Sequence, residues 1–383
     1  MSKKIILNNE KIFCASLFIL VLLNGLSRLA VFNENNLFAN LENYIQLPIY
    51  LVLILLIIQK NFLLDQYLLI LAIGIFIVIG YFDSKMAGFL RAFLLILAAK
   101  NFELKKILKS CRYSLIITVI ISVILFLFGI SVGSVRRNFI SWGFVHPNVA
   151  GQVMMLVVLL WVSENENENI KKIDTMLFWG AVIIGAFTGA RTSAILLIAL
   201  ILMLPILKYV VSKQNFLADI LCYLNPFLLW LTYYTANKLD ISRFAQLMDK
   251  ILVNRIFLNY FALNHWGIKL FGQDISLTTT GTVYNNIRNV YWTTGTTVDS
   301  TYMTSLLVMG LLPTLIWSIS YIFTMKKMKE NKNYLLFGVA IILCFEAFTE
   351  TGMIEIYNNF VLFYLTSAVS NLQDKQVGEK YAK

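Results

Sequence analysis

Charge is what this sequence has least of. Only 14% of its 383 residues are Asp, Glu, Lys or Arg, and 58% are hydrophobic; soluble domains carry about 25% and 45–50%. A chain so apolar cannot cover its core with polar surface, which excludes a soluble enzyme. The mean hydropathy of +0.73 agrees. The four cysteines, Cys14, Cys111, Cys222 and Cys344, lie in or beside apolar runs with neither disulfide nor metal spacing, and read as packing residues. The GxxxxGK(S/T) phosphate loop, the HExxH zinc helix and the Asp-x-Asp pair are all missing. Their absence argues against an ATP-driven pump or a nucleotide-sugar transferase, and nothing calls for a metal or cofactor.

What the chain does have is a succession of apolar runs. A membrane-spanning helix needs about 20 mostly apolar residues. Twelve candidates occur, at 12–32, 44–59, 66–82, 86–99, 113–133, 147–163, 173–189, 192–210, 215–235, 301–325, 334–350 and 353–371. The fourth is short and contains Arg91. The first is too long for a signal peptide and no small-x-small cleavage site follows it, so it reads as a retained helix. The expected fold is all-α: a polytopic integral membrane bundle of about 12 transmembrane helices with one large extracytoplasmic loop. Residues 1–235 would carry nine helices, 236–300 the loop, and 301–383 the last three helices and a cytoplasmic tail.

The formal charge of +11 follows this topology. Lys3, Lys4 and Lys11 precede the first run; Lys100, Lys105, Lys106 and Lys109, then Lys326, Lys327, Lys329 and Lys332, fall in alternate turns. That is the positive-inside bias, with both termini cytoplasmic, and it implies no nucleic-acid partner. The ENENEN turn at 164–169 reads as solvated. Within the loop, Leu239, Phe244, Leu247, Met248, Ile251, Leu252 and Ile256 recur at helical spacing. They predict an amphipathic helix lying on the membrane surface or capping the bundle. The stretch 278–300 is rich in Thr, Asn, Tyr and Trp, which suits a glycan and equally suits an ordinary polar loop.

Arginine is distributed against the bias. Twenty of the 32 Lys and Arg fall in predicted cytoplasmic segments or at their edges, and all but Arg112 are lysine. Of the other twelve, eight are arginine: Arg28, Arg91, Arg136, Arg137, Arg191, Arg243, Arg255 and Arg288. Lysine satisfies topology as a point charge, whereas arginine grips phosphate with a planar fork. An Arg-rich outer side points to a phosphate-bearing ligand there; lipid-headgroup anchoring and internal ion pairs are the competing explanation. His146 precedes a proline that opens the sixth run, which makes it either a helix cap or a titratable group at the bundle mouth. His265 lies in the loop. Glu346, Glu350 and Glu355 stand near the outer end of the eleventh run, placed to pair with arginines or to bind an acceptor sugar.

FVHPNVAGQ, TGARTS, NRIFLNYFALNHWGIKLFGQDI and VDSTYMTSLLVMGLLPTLIW occur in that order between about 140 and 320, with a looser echo in FTETGMIEIYNNFVLFYL. These stretches resemble landmarks of bacterial Wzy-type polysaccharide polymerases, which group with the O-antigen ligases. The resemblance implies a metal-independent glycosyltransferase in the bacterial cytoplasmic membrane. It would join polyprenyl-diphosphate-linked oligosaccharide repeat units, donor and acceptor alike, into capsular polysaccharide or exopolysaccharide at the outer face. A flippase and a chain-length regulator would be its partners. On this resemblance Arg191, with Arg136 or Arg137, holds the diphosphate; His146 or Asp299 is the base; and Arg255, His265, Arg288 and Glu350 hold the glycan. VDSTY stands where a ligase would show a His-Asn pair, which favours a polymerase. A ligase moving finished glycan to another acceptor is the first alternative. A lipid-linked oligosaccharide flippase is the second, although residues 1–190 and 191–383 show no repeat of the kind transporters carry.

Overall fold

The computed structural model describes residues 3–33, 35–136, 139–165, 168–275, 279–285, 290–296 and 298–366. The chain opens with α1 (Lys3–Ser27), a single turn α2 (Ala30–Asn33), α3 (Asn36–Ile58), α4 (Leu64–Ser84), the short α5 (Gly88–Ala98) and α6 (Leu104–Leu127). A small antiparallel hairpin of β1 (Val135–Arg136) and β2 (Phe139–Ile140) leads to α7 (Pro147–Glu164), α8 (Ile170–Thr188) and α9 (Arg191–Ser212). Then follow α10 (Phe216–Leu221), α11 (Leu224–Asn237), α12 (Arg243–Ile251) and α13 (Arg255–Trp266). A second hairpin, β3 (Thr279–Asn285) with β4 (Val290–Thr296), precedes α14 (Thr301–Thr304), a π turn over Ser305–Met309, α15 (Leu311–Glu330) and α16 (Tyr334–Thr349).

The architecture is an all-α bundle of membrane type. Among the described residues six helices, α1, α3, α4, α6, α7 and α9, are long and apolar enough to cross a membrane, and α5 and α16 are apolar but shorter. The remaining apolar runs take other shapes, for local reasons. The run at 215–235 divides between α10 and α11. The run at 301–325 breaks at Gly310, whose φ of 89° suits glycine. The last run is not helical over 351–359, because its asparagines bond to nearby carbonyls instead: Asn358 Nδ2 donates to Gly352 O at 2.7 Å and Asn359 Nδ2 to Met353 O at 3.1 Å.

The core is centred on α16. Twelve of its 16 residues are buried, as befits a helix that is apolar on every side. It packs against α9, α7, α11 and α15. In lipid such contacts depend on close van der Waals packing, so small residues mark where backbones meet. Gly151 of α7 is such a point: a Cβ there would lie 2.1 Å from Ala190 Cβ and 3.0 Å from Thr188 Oγ1. The start of α7 is thus pressed against the α8–α9 turn.

The predicted amphipathic helix is two helices. Val253 and Asn254 adopt φ of 54° and 70° and break it, and Asp249 Oδ1 accepts the Phe257 amide at 2.8 Å across the break. Phe244, Leu247, Ile251 and Val253 are exposed, as an interfacial helix requires. The 278–300 stretch contains a seven-residue antiparallel hairpin, in keeping with the β preference of Thr, Tyr and Trp.

Gly151→Val is expected to cost about 1–3 kcal/mol through overpacking, read as a lowered melting temperature in detergent. Gly185→Ala, whose methyl would meet nothing nearer than 3.9 Å, is the control and is expected to be neutral or mildly stabilising.

Candidate functional site

Three helices begin at one place. Pro147 and Asn148 of α7, Arg191 and Thr192 of α9, and Arg255 of α13 line a cavity of about 270 Å³, together with Phe139, Thr188, Gly189, Asp299 and Thr349. Small-ligand pockets begin at roughly 300 Å³. The close approach at Gly151 brings the first two helix starts together; the α12–α13 break brings the third.

The three starts are finished differently. At α7 the N-cap is His146, whose Nδ1 accepts the Asn148 N–H at 3.1 Å. A neutral ring that accepts through Nδ1 carries its proton on Nε2. At α9 the N-cap is Ala190, which has no side chain to accept a bond. At α13 the N-cap is Asn254, whose left-handed backbone leaves its side chain without a capping bond. The first N–H groups of a helix have no partner within the helix, and its start carries about half a positive charge. The start of α13 is closed from α12, since Asp249 Oδ1 accepts the Phe257 N–H at 2.8 Å and the Arg255 N–H reaches Leu252 O at 3.3 Å; α9 presents uncapped N–H groups, and both helices begin with an arginine.

Arg255 is tethered and half used. Its Nη2 meets Glu350 Oε1 at 2.8 Å, while its Nη1 is buried without a hydrogen-bond partner. The Asp240 carboxylate accepts the Tyr260 hydroxyl at 2.5 Å, pushing that phenol up to about 12 and tying α13 back to the end of α11. Arg191 is exposed and makes no ion pair among the described residues. Asp299 is flanked by buried Val298 and Ser300. Its strand end is pinned to the end of α16, where Thr301 N and Oγ1 both donate to Glu350 O, at 3.1 and 2.7 Å. Asp299 and Glu350 offset the two guanidinium charges, and the bare start of α9 tips the cavity positive. Uncapped N–H groups beside an arginine form an anion site.

The structure thus brings together Arg191, Arg255 and Asp299, with His146 at the edge and Glu350 behind Arg255. His265 is elsewhere, exposed in the last turn of α13, with its ring stacked on Phe261 at 5.8 Å and edge-on to Trp266 at 4.9 Å. Arg136 lies in β1 as the Cα partner of Phe139, a cavity residue. Its side chain, Arg137 and Arg288 lie outside the described residues. Among the described residues no three of His, Cys, Asp and Glu gather so as to hold a metal ion. Sequence reasoning missed Asn148, Thr192 and the bare start of α9. Gly-Ala immediately before Arg191, in place of Ser, Thr, Asp or Asn, is the signal that could have found one of them.

Titration of the purified protein with inorganic pyrophosphate checks the site. Arg191→Gln is expected to weaken binding about 10–100-fold, the worth of a charge-assisted contact. Glu350→Gln frees Arg255 from its counter-charge and is expected to tighten binding severalfold while lowering the melting temperature. Comparisons with family models, with curated proteins and with solved structures give no match to this chain.

Proposed function

We propose that the protein is a membrane glycosyltransferase of the Wzy polymerase kind, joining polyprenyl-diphosphate-linked repeat units at the outer face of a bacterial cytoplasmic membrane. In this reading the twelve apolar runs all lie within the membrane region, both termini are cytoplasmic, and residues 236–300 are extracytoplasmic. The observation that carries it is the convergence on one cavity of two helix starts headed by arginines, of which that of α9 is uncapped. A glycosyl diphosphate is already activated, so the protein must stabilise the departing diphosphate and align two lipid-tethered sugars. The cavity has the parts for the first task.

The chemistry balances on these residues. The acceptor hydroxyl attacks the anomeric carbon of the donor chain, and the bond from that carbon to the diphosphate oxygen breaks. Arg191, Arg255 and the first N–H groups of α9 take up the charge on the leaving polyprenyl diphosphate. The acceptor proton passes to Asp299, the carboxylate on the cavity wall. His146 caps α7 and so fixes Asn148 at the cavity. Arg136, Arg137 and Arg288 are proposed to extend the diphosphate and glycan contacts, and His265 to meet the glycan farther along the chain. A flippase supplies the units and a chain-length regulator acts alongside.

Deleting the protein in its host separates the readings. A polymerase defect leaves single units on the carrier at the outer face, a ligase defect leaves long chains on the carrier, and a flippase defect leaves units inside. The first outcome is expected. Complementation with Asp299→Asn is expected to slow chain growth about 10²–10⁴-fold, the range for loss of a general base. Normal polymer from both Arg191→Ala and Asp299→Asn, with insertion intact, would discard the assignment.

A further inference from the structure

The helices α1 and α6 lie side by side and run parallel. Their hydrogen bonds advance together, from Lys106 Nζ to Glu10 Oε2 at 2.7 Å, Ser110 Oγ to Cys14 O at 2.6 Å and Ser114 Oγ to Phe18 O at 2.9 Å. Both helices begin at the end of the bundle away from the anion cavity. Arg112, about two turns into α6, pairs with Glu164, the last residue of α7, whose first residue Pro147 lines that cavity. The 18 residues of α7 set the two ends about 27 Å apart.

Between α1 and α6 runs a groove of about 690 Å³, within the size range of ligand sites. Its lining changes along its length. Lys11, Lys106 and Lys109 stand at its head, and Ala15, Phe18, Ile19 and Tyr113 continue it toward the middle of the bundle. Ala15, Ile19 and Tyr113 are exposed, so the groove is open along its side. Ser110 also lines it, but its hydroxyl already bonds Cys14 O. Both helices are long and apolar enough to cross a membrane.

The charges at the head are unevenly used. Lys106 holds both nearby carboxylates, Glu10 at 2.7 Å and Glu103 at 2.9 Å. Glu10 is buried and also accepts the Glu103 N–H at 2.8 Å. Lys11 and Lys109 are exposed and make no ion pair among the described residues. Lys109 Nζ stands 5.7 Å from the Tyr113 ring, which lines the groove. Two ammonium groups without a counter-charge thus head an apolar groove. A free phosphate would answer the lysines and leave the apolar walls bare. An uncharged chain would cover the walls and leave the lysines as they are. A peptide would carry backbone polar groups into lipid, where each unmatched one is costly. A molecule with an anionic head and an apolar tail matches both parts.

We propose that this groove binds an anionic phospholipid, with the phosphate between Lys11 and Lys109 and one acyl chain along Ala15, Phe18, Ile19 and Tyr113. Basic pockets between membrane helices recognise such head groups. Residues 11–19 rise about 12 Å, which holds the upper part of a chain and leaves its end in the bilayer. The site does not rest on the polymerase reading, and its distance from the anion cavity lets the two be tested apart.

Native mass spectrometry of the full-length protein in detergent, titrated with phosphatidylglycerol or phosphatidylcholine of identical acyl chains, tests the site. Phosphatidylglycerol is expected to bind about tenfold or more tighter, and Lys11→Gln and Lys109→Gln are each expected to weaken it about fivefold, the worth of one lysine at an anionic head group. Ala15→Phe fills the groove without altering charge and is expected to weaken both lipids; Ala15→Leu serves if the larger ring disturbs folding. Lys105→Gln is the control, an exposed lysine of α6 that does not line the groove, and is expected to leave binding unchanged. Melting temperatures without lipid, and pyrophosphate binding, are expected to match the parent in every variant. Equal binding of the two lipids by the parent overturns the proposal, because the groove would then be merely apolar. Equal losses in Lys105→Gln and Lys11→Gln overturn it in favour of diffuse attraction to a basic surface. Full phosphatidylglycerol binding by Ala15→Phe shows that no chain occupies the groove, and displacement of the lipid by an equal concentration of glycerol 3-phosphate shows a site for free phosphate; either result also overturns it.

Discussion

Two backbones touch at Gly151, and the arrangement of the cavity depends on that contact. The first turns of α7 press against the α8–α9 turn with no room for a methyl group between them. Through this contact Asn148 and Arg191 come to share a wall, although 43 residues separate them in the chain. No salt bridge or disulfide among the described residues ties α7 to that turn; the joint consists of packing alone. In a bilayer, where apolar surface gains little by leaving lipid for protein, such fits between small residues do what hydrophobic burial does in water.

Given that geometry, the electrostatics follow from what is left unfinished. A capped helix start is inert. The start of α9 is uncapped and adds the Arg191 guanidinium to its bare N–H groups, whereas that of α13 is closed by Asp249 and contributes Arg255. Placed in a region of low dielectric, these donors act more strongly than they would in water. Glu350 keeps Arg255 from folding away into the bundle while leaving its Nη1 free. The carboxylate therefore aims the fork as well as moderating its charge.

Much of this was legible in the chain. Composition and the apolar runs give an all-α membrane bundle, and the segregation of arginine from lysine across the predicted spans put Arg191 and Arg255 in a group of eight. Asp299 followed from the family resemblance. Other features were not legible, for identifiable reasons. An apolar run reports burial and not continuity, so the break at Gly310 and the turns over 351–359 stayed hidden. Hydrophobic spacing runs straight through Leu252 and Val253, and only their backbone angles divide α12 from α13. His146 read as either a helix cap or a titratable group because the two share the same sequence signature; the bond from the Asn148 amide to Nδ1 shows the cap. His265 was chosen for its residue type, and its ring stacks on neighbours within its own helix.

The break before α15 has an effect beyond shape. Leu311 N and Leu312 N at the helix start donate to Lys269 O and Leu270 O, each at 3.0 Å, and Gln273 N donates to Val308 O at 2.9 Å. Gly272 and Gly310 pass so closely that neither tolerates a side chain. The connecting segment is therefore riveted to the bundle by main-chain atoms, which any residue but proline supplies at the donor positions. That joint constrains the backbone at Gly272 and Gly310 and leaves the side chains of Lys269 and Leu270 free to vary.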